Sequence, residues 1–201
     1  MKDFLEFPKI PRLSREMIIT EKIDGTNAQI LITELGEVFA GSRNRWLTPQ
    51  DDNFGFAKWV EDNKQEVLKL GVGRHFGEWW GSGIQRGYGL QNGEKRLSIF
   101  NVGRWCLFGQ EPKSFGVNKM QDILPHCIGL VPILYEGIFD TNKVNEVLSD
   151  LRTNGSRAAD GFMNPEGVIM YHIAANQYFK KTIHKDEEHK THGTNINTTK
   201  T

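Results

Sequence analysis

This chain has little cysteine, no excess of either charge, no long apolar run and no internal repeat. Cys106 and Cys127 are its only cysteines, and without the Cys/His spacing of a metal site they point to reduced cytosolic thiols rather than a disulfide scaffold. Cys106 stands in an apolar run and is expected in the core. The 25 basic residues are matched by 25 acidic ones, so no global field draws the chain to nucleic acid or an anionic membrane; any nucleic-acid contact must come from a local patch. Met1-Lys2-Asp3-Phe4 has no apolar signal region, and no stretch approaches membrane-spanning length. A soluble, cytoplasmic protein is expected. A GxxxxGKS/T loop is also missing, and no GxGxxG opens a helix, so the glycine-dense residues 81–89 are read as a flexible surface loop, a candidate substrate flap.

What is present is organised around Thr20-Glu21-Lys22-Ile23-Asp24-Gly25-Thr26-Asn27. Residues 17–19 before it are apolar, and after it Ala28, Ile30 and Ile32 alternate with Gln29, Leu31 and Thr33, the period of a strand with one face on a core. Asp24-Gly25 between two strands is a hairpin signal. A lysine two residues before such a turn stands at the lip of a sheet, its amine aimed into whatever cleft lies there. By itself the octet fits a solvated strand lysine beside an ordinary hairpin at least as well.

The rest of the chain reads as many short strands and two modest helices. Residues 1–16, with Pro8 and Pro11, are an irregular lead-in. Residues 38–40 form a third strand. Thr48-Pro49-Gln50-Asp51 has the form of a helix start, and apolar spacing carries that helix over 54–70, closed by Gly71. Strands are expected at 75–80, 97–108 and 131–139, a helix at 142–151, and a last strand pair at 167–172 and 177–181. Residues 184–201 lack the apolar content to order themselves. This order, not a regular βαβ alternation, predicts an α+β fold with mostly antiparallel sheet over residues 1–183, and a disordered polar tail.

The later strands add carboxylates and cations in unusual places. Glu78 sits in a strand of large aromatics, where a carboxylate needs a partner; Glu166 stands at the mouth of an apolar strand; Lys180 and Lys181 end the series. Taken in order, Lys22-Ile23-Asp24-Gly25, Ser42-Arg43, Gly77-Glu78-Trp79, Ser98-Ile99-Phe100-Asn101, Glu166-Gly167-Val168-Ile169 and Phe179-Lys180-Lys181 resemble the motif ladder of the covalent nucleotidyltransferases, the superfamily of ATP-dependent DNA and RNA ligases and mRNA capping enzymes. The resemblance covers roughly residues 8–183. Asp-Gly-Thr-Asn after the lysine and the later Gly-Ser-Arg look most like the RNA ligase branch related to the second RNA ligase of T-even phages, many of them phage-encoded.

That resemblance implies a reaction and a set of roles. Lys22 would attack the α-phosphate of ATP and form a lysyl-AMP. A free lysine, with a pKa of about 10.4, is protonated at neutral pH, so desolvation or neighbouring cations must make it available. Lys180, Lys181 and a divalent ion would push that way and offset phosphate charge. Glu78 and Glu166 are hard oxygen ligands for Mg²⁺ or Mn²⁺, Glu78 also a ribose contact; a salt bridge is the plainer role for each. Phe100 would stack on adenine, with Val168 or Ile169 on the other face of the base, though a core phenylalanine fits nearly as well. Asp24 would hold geometry around Lys22, Glu21 help read adenine, Arg43 clamp a phosphate or the ribose, and Asn27 contact the strand end. Phe100-Asn101 departs from the usual Phe-Asp, and the two final lysines are adjacent where the family spaces them by one. Side chains alternate along a strand, so one of the two points into the site, and Lys180 is favoured.

With 21 residues before Lys22 and about twenty polar ones after Lys181, the extra domains of larger ligases, each needing roughly 50 residues, are not expected. A minimal ATP-dependent RNA or polynucleotide ligase is expected, acting on 5′-phosphate and 3′-hydroxyl RNA ends, nicked duplex included, with a helper domain or protein for grip; Arg43, Arg45, Trp46, Arg86 and Tyr88 are candidate contacts. The other classes considered are a nucleotide- or RNA-end-binding module without sealing activity and a guanylyl-transferring capping-type enzyme.

Overall fold

The computed structural model describes residues 3–102 and 124–184. The expected strand at 104–108, Cys106 and nearly all of the polar tail lie outside the described residues. The strands, in chain order, are β1 (Glu16–Lys22), β2 (Thr26–Ile32), β3 (Val38–Gly41), β4 (Trp46–Leu47), β5 (Gly73–Gly81), β6 (Lys95–Ile99), β7 (Ile128–Leu130), β8 (Ile133–Ile138), β9 (Gly167–His172) and β10 (Gln177–Thr182); the helices are α1 (Phe56–Asp62), α2 (Lys64–Val67) and α3 (Thr141–Asn154). They build a four-stranded sheet, order β10-β9-β1-β8, and a six-stranded sheet, order β4-β3-β2-β5-β6-β7. Every pairing is antiparallel except β6 with β7. The α+β, largely antiparallel expectation is met.

The turn at Asp24-Gly25 is not a hairpin. β1 and β2 belong to different sheets, and the turn carries the chain from one to the other. Gly25 is required there by crowding, not by a positive φ: a Cβ would lie 2.5 Å from the Trp79 carbonyl and 2.8 Å from Trp80 Cβ. Close approach of this turn to β5 is what brings the two sheets together beside Lys22.

The alternation of β1 splits its side chains between two cores. Met17 and Ile19 pack with Val168 against Val144, Val147, Leu148 and Leu151 of α3, which recur at helical spacing on one stripe. Asp140 caps that helix by accepting from Asn142 N at 2.8 Å, and Gly155, at φ 79°, ends it. Ile18 instead joins the larger core with Ile23, Trp80, Ile84 and Tyr88. Each such fully buried aliphatic contributes roughly 1.5–3 kcal/mol of transfer free energy.

The six-stranded sheet is also two-faced. Ala28, Ile30, Trp79, Leu97 and Ile99 share the larger core with Phe56, Ala57 and Val60 of α1, and Phe56 and Trp59 lie against Trp79 at ring-centroid distances of 5.5 and 5.2 Å. Its opposite face, through Glu78 and Trp80, looks toward the four-stranded sheet.

The helix expected from Thr48 begins later. Thr48 and Asp51 close a tight turn, with Asp51 N donating to Thr48 Oγ1 at 3.1 Å. The orphan N–H groups of α1 go to the Asp52 carboxylate, from Ala57 at 2.8 Å and Lys58 at 3.0 Å. The stretch also breaks at Asn63 and tightens at its end before Gly71, at φ 78°. β7 has no counterpart among the expected strands: its three residues are too few to show a period.

Candidate active site

The end of β1, the turn into β2, the middle of β5 and the start of β9 meet at one place. Lys22 Nζ donates to Glu166 Oε2 at 2.5 Å, joining residues 144 apart in sequence. Glu78, on β5, accepts from Gly25 N at 3.0 Å and from Asn27 Nδ2 at 3.4 Å; β2 pairs Asn27 directly with Glu78. Burial lifts the Glu78 carboxyl to about 7, and the nearby Glu166 and Asp24 carboxylates add to this, while the Gly25 N–H and the Lys22 ammonium oppose it. Lys22, Asp24, Asn27, Glu78 and Glu166 are therefore gathered at one locus.

Asp24 is held by the glycine-rich loop. Arg86 Nε donates to Asp24 Oδ2 at 2.9 Å, while Arg86 Nη1 donates to the Asn164 carbonyl at 3.0 Å and side-chain oxygen at 2.9 Å. The arginine ties the turn after Lys22 to the segment leading into Glu166. Tyr88 is 1% exposed; its ring stacks on Phe162 at 4.5 Å and meets Trp80 edge-on at 5.3 Å, and its hydroxyl accepts from Asp24 N at 3.0 Å. A flexible flap is thus the wrong description of residues 81–89. Ile84 and Tyr88 are core residues, and neither Tyr88 nor Arg86 stands free to receive a nucleic-acid end. Nothing in the residue types of that loop marks which of them fold inward.

Strand parity sorts the remaining candidates. The row Thr20, Ile169, Lys180 and the row Lys22, Gly167, Thr182 lie on one face of the four-stranded sheet; the row Glu21, Val168, Lys181 lies on the other, toward α3. Lys181 Nζ accordingly donates to Asn145 of α3 at 3.1 Å, and Val168 is fully buried in the α3 core. Glu21 uses both oxygens on the loop after α3: Ser156 Oγ donates at 2.6 Å, Arg157 N at 2.7 Å and Ala158 N at 3.1 Å. Burial raises its pKa against the pull of these donors. Parity makes Glu21 a strut of the α3 loop, a correction to its expected contact with the base; between the alternatives Val168 or Ile169 and Lys180 or Lys181, it puts Val168 in the core and turns Lys181 toward α3. Ile169 and Lys180 share the Lys22 face.

On the facing sheet, Phe100 lies just beyond β6, its N–H donating to the Phe76 carbonyl at 2.8 Å. It is 39% exposed and not a core phenylalanine. Arg43 is exposed in the bend after β3.

Glu78 and Glu166 suit a hard divalent cation. Among the described residues no three side chains of metal-binding type converge, but two carboxylates are the share that Mg²⁺ takes when a bound phosphate and water supply the rest. The buried Glu78, lifted to about 7 by its surroundings, is a carboxylate that a cation would satisfy.

A two-sheet α+β domain with a lysine at the rim of one sheet and carboxylates converging from both sheets defines a nucleotidyltransferase-like protein. The family model for RNA ligase matches residues 15–185, and the chain belongs to that family. Solved structures of a Naegleria gruberi RNA ligase share the fold: a variant with ATP and Mn matches at 16% identity and TM-score 0.56, covering 89% of this chain and 53% of that one, and another with AMP and Mn at 17% identity and TM-score 0.56, covering 85% and 50%. The chain thus spans about half the length of these relatives. No curated protein matches.

Proposed function

We propose that this domain is the adenylyl-transferring part of an ATP-dependent RNA ligase, with Lys22 as the nucleophile. The observation that carries the reading is the Lys22–Glu166 contact at 2.5 Å with Glu78 beside it: one amine and two acids delivered from three distant parts of the chain. The family match and the ATP- and AMP-bound relatives agree with it. Asp24-Gly25-Thr26-Asn27 and Gly41-Ser42-Arg43 further support the branch related to the second RNA ligase of T-even phages.

In the first step Lys22 Nζ, its proton released to solvent, attacks the α-phosphorus. The N–P bond forms as the P–O bond to pyrophosphate breaks. AMP then passes to a 5′-phosphate, and a 3′-hydroxyl displaces it to seal the strand. Lys180, on the Lys22 face, offsets charge on the phosphates. Phe100 and Ile169 hold the base between the sheets, and Arg43 grips a phosphate. Glu78 and Glu166 would hold Mg²⁺ or Mn²⁺, which when bound supplies charge neutralisation at the phosphates.

The test is incubation with α-labelled ATP or GTP and Mg²⁺, followed by a denaturing gel. Label retained from ATP and lost in Lys22→Ala is the expected result. Label from GTP would mean guanylyl transfer, and none would mean a binding module. Sealing of nicked or single-stranded RNA then separates a ligase from a half-reaction.

A further inference from the structure

The face of the six-stranded sheet that carries Glu78 and Asn27 continues outward as an aromatic surface. Register puts Phe76 opposite Gln29, Gln29 opposite Gly41 and Gly41 opposite Trp46, while Phe100 is bonded beside Phe76. These residues form one transverse row across β4, β3, β2 and β5 and on to Phe100, just past the end of β6. It lies a single two-residue step, about 6.7 Å, beyond the Asn27–Glu78 row. At roughly 4.8 Å per strand, Phe100 and Trp46 stand about 19 Å apart along it.

Its aromatic members are open. Phe76 is 51% and Trp46 47% exposed, which a sheet needing only a core would not require. Gly41 has no side chain, and the Trp46 ring lies over it: a Cβ at Gly41 would be 3.1 Å from Trp46 Cε3. Phe39 flanks that ring at 5.9 Å between centroids. The Arg74 guanidinium sits 5.4 Å over it and donates to Gln29 Oε1.

We propose that this row binds an unpaired stretch of the substrate polynucleotide, with bases stacked on Phe76 and on the Phe39–Trp46 pair and with Arg74 and Arg43 on its phosphates. The inference rests on the ligase reading for its choice of ligand. Three features select this occupant. The surface is continuous with the row that holds Glu78, so a strand whose end is at Lys22 has a direct path across it. Among the described residues of the row and its outer neighbour, Arg74 is the one charged side chain, so the field suits a polyanion. Rings lying on a shallow sheet reach the π-faces of bases only where those faces are not already stacked in a duplex.

The experiment measures fluorescence anisotropy of a labelled single-stranded RNA, and of the same sequence as a duplex, with the full chain. Trp46→Ala and Phe76→Ala are compared with Trp46→Phe, and the label from α-labelled ATP is followed in parallel. Each alanine variant is expected to weaken single-strand binding roughly 5- to 150-fold, the range of one lost base–aromatic stack, while Trp46→Phe retains most of it. Unchanged single-strand binding overturns the proposal. So does an equal loss for duplex, or a loss confined to self-association in sedimentation, which would make the row a protein interface. If wild type takes up no label from ATP, the ligase reading fails while the anisotropy still judges the surface.

Discussion

The hydroxyl of Tyr88 spans the backbone immediately after Lys22: it accepts from Asp24 N at 3.0 Å and donates to the Lys22 carbonyl at 3.4 Å. The backbone of Lys22 is thereby fixed by a side chain 66 residues away. Tyr88 achieves this at φ 50°, in the left-handed region that a bulky residue rarely adopts, so tertiary packing overrides local preference there. Tyr88→Phe leaves a buried N–H without its partner, which costs about 1–3 kcal/mol. The expected result is a lower melting temperature and slower self-adenylation, with nucleotide affinity little changed, read by calorimetry and single-turnover labelling.

Arg86 and Asp24 act as one unit. Removing either frees the turn after Lys22 from the segment before Glu166, so Arg86→Ala and Asp24→Ala should be non-additive. A double-mutant cycle on self-adenylation is expected to give a coupling of about 0.5–3 kcal/mol. Additive losses would show that the pair is incidental.

Glu21 separates structure from chemistry. Its carboxylate ties β1 to the loop after α3 through three donors. Glu21→Ala should cost roughly 2–4 kcal/mol of stability, as loss of a buried hydrogen-bonded charge does. At temperatures where the variant stays folded, its KM for ATP should be close to wild type. A large change in KM with unchanged stability would restore a direct contact with the base.

Parity makes Lys180 and Lys181 unequal. Lys180→Ala should slow self-adenylation by at least about tenfold, the loss of one well-placed charge contact. Lys181→Ala, which removes a contact to Asn145, should stay near wild type. Rates measured side by side decide this.

Glu78 gives the metal-free protein a pH signature. Its carboxyl is raised from 4.5 to about 7 by burial in the folded state, so the folded chain holds a proton that the unfolded chain has released. Its contribution to stability is therefore fully present below about 4.5 and is lost as pH rises through about 7. Thermal melting in chelator should show wild type losing stability over that window, and Glu78→Gln losing less.

Much of the framework can be read from residue order, for reasons the structure makes plain. Strong periods gave β2 and α3, because each buries a single well-marked face. Glu78 and Glu166 stood out because carboxylates inside apolar strands need partners. What sequence could not supply was the path between elements. Asp24-Gly25 carries the same local signal whether it closes a hairpin or crosses between sheets. The inward turn of Tyr88 depends on Trp80 and Phe162, which arrive from elsewhere. Adjacent Lys180 and Lys181 become distinguishable only once β10 is registered on β9.

The proposed mechanism requires that Lys22 carry the nucleotide. Peptide mapping by mass spectrometry, after the full chain is incubated with ATP and Mg²⁺ and quenched in acid, tests it most directly. One AMP is expected on the peptide containing Lys22 and none anywhere in Lys22→Ala. AMP attached to any other residue, or retained when Lys22 is replaced, would contradict it.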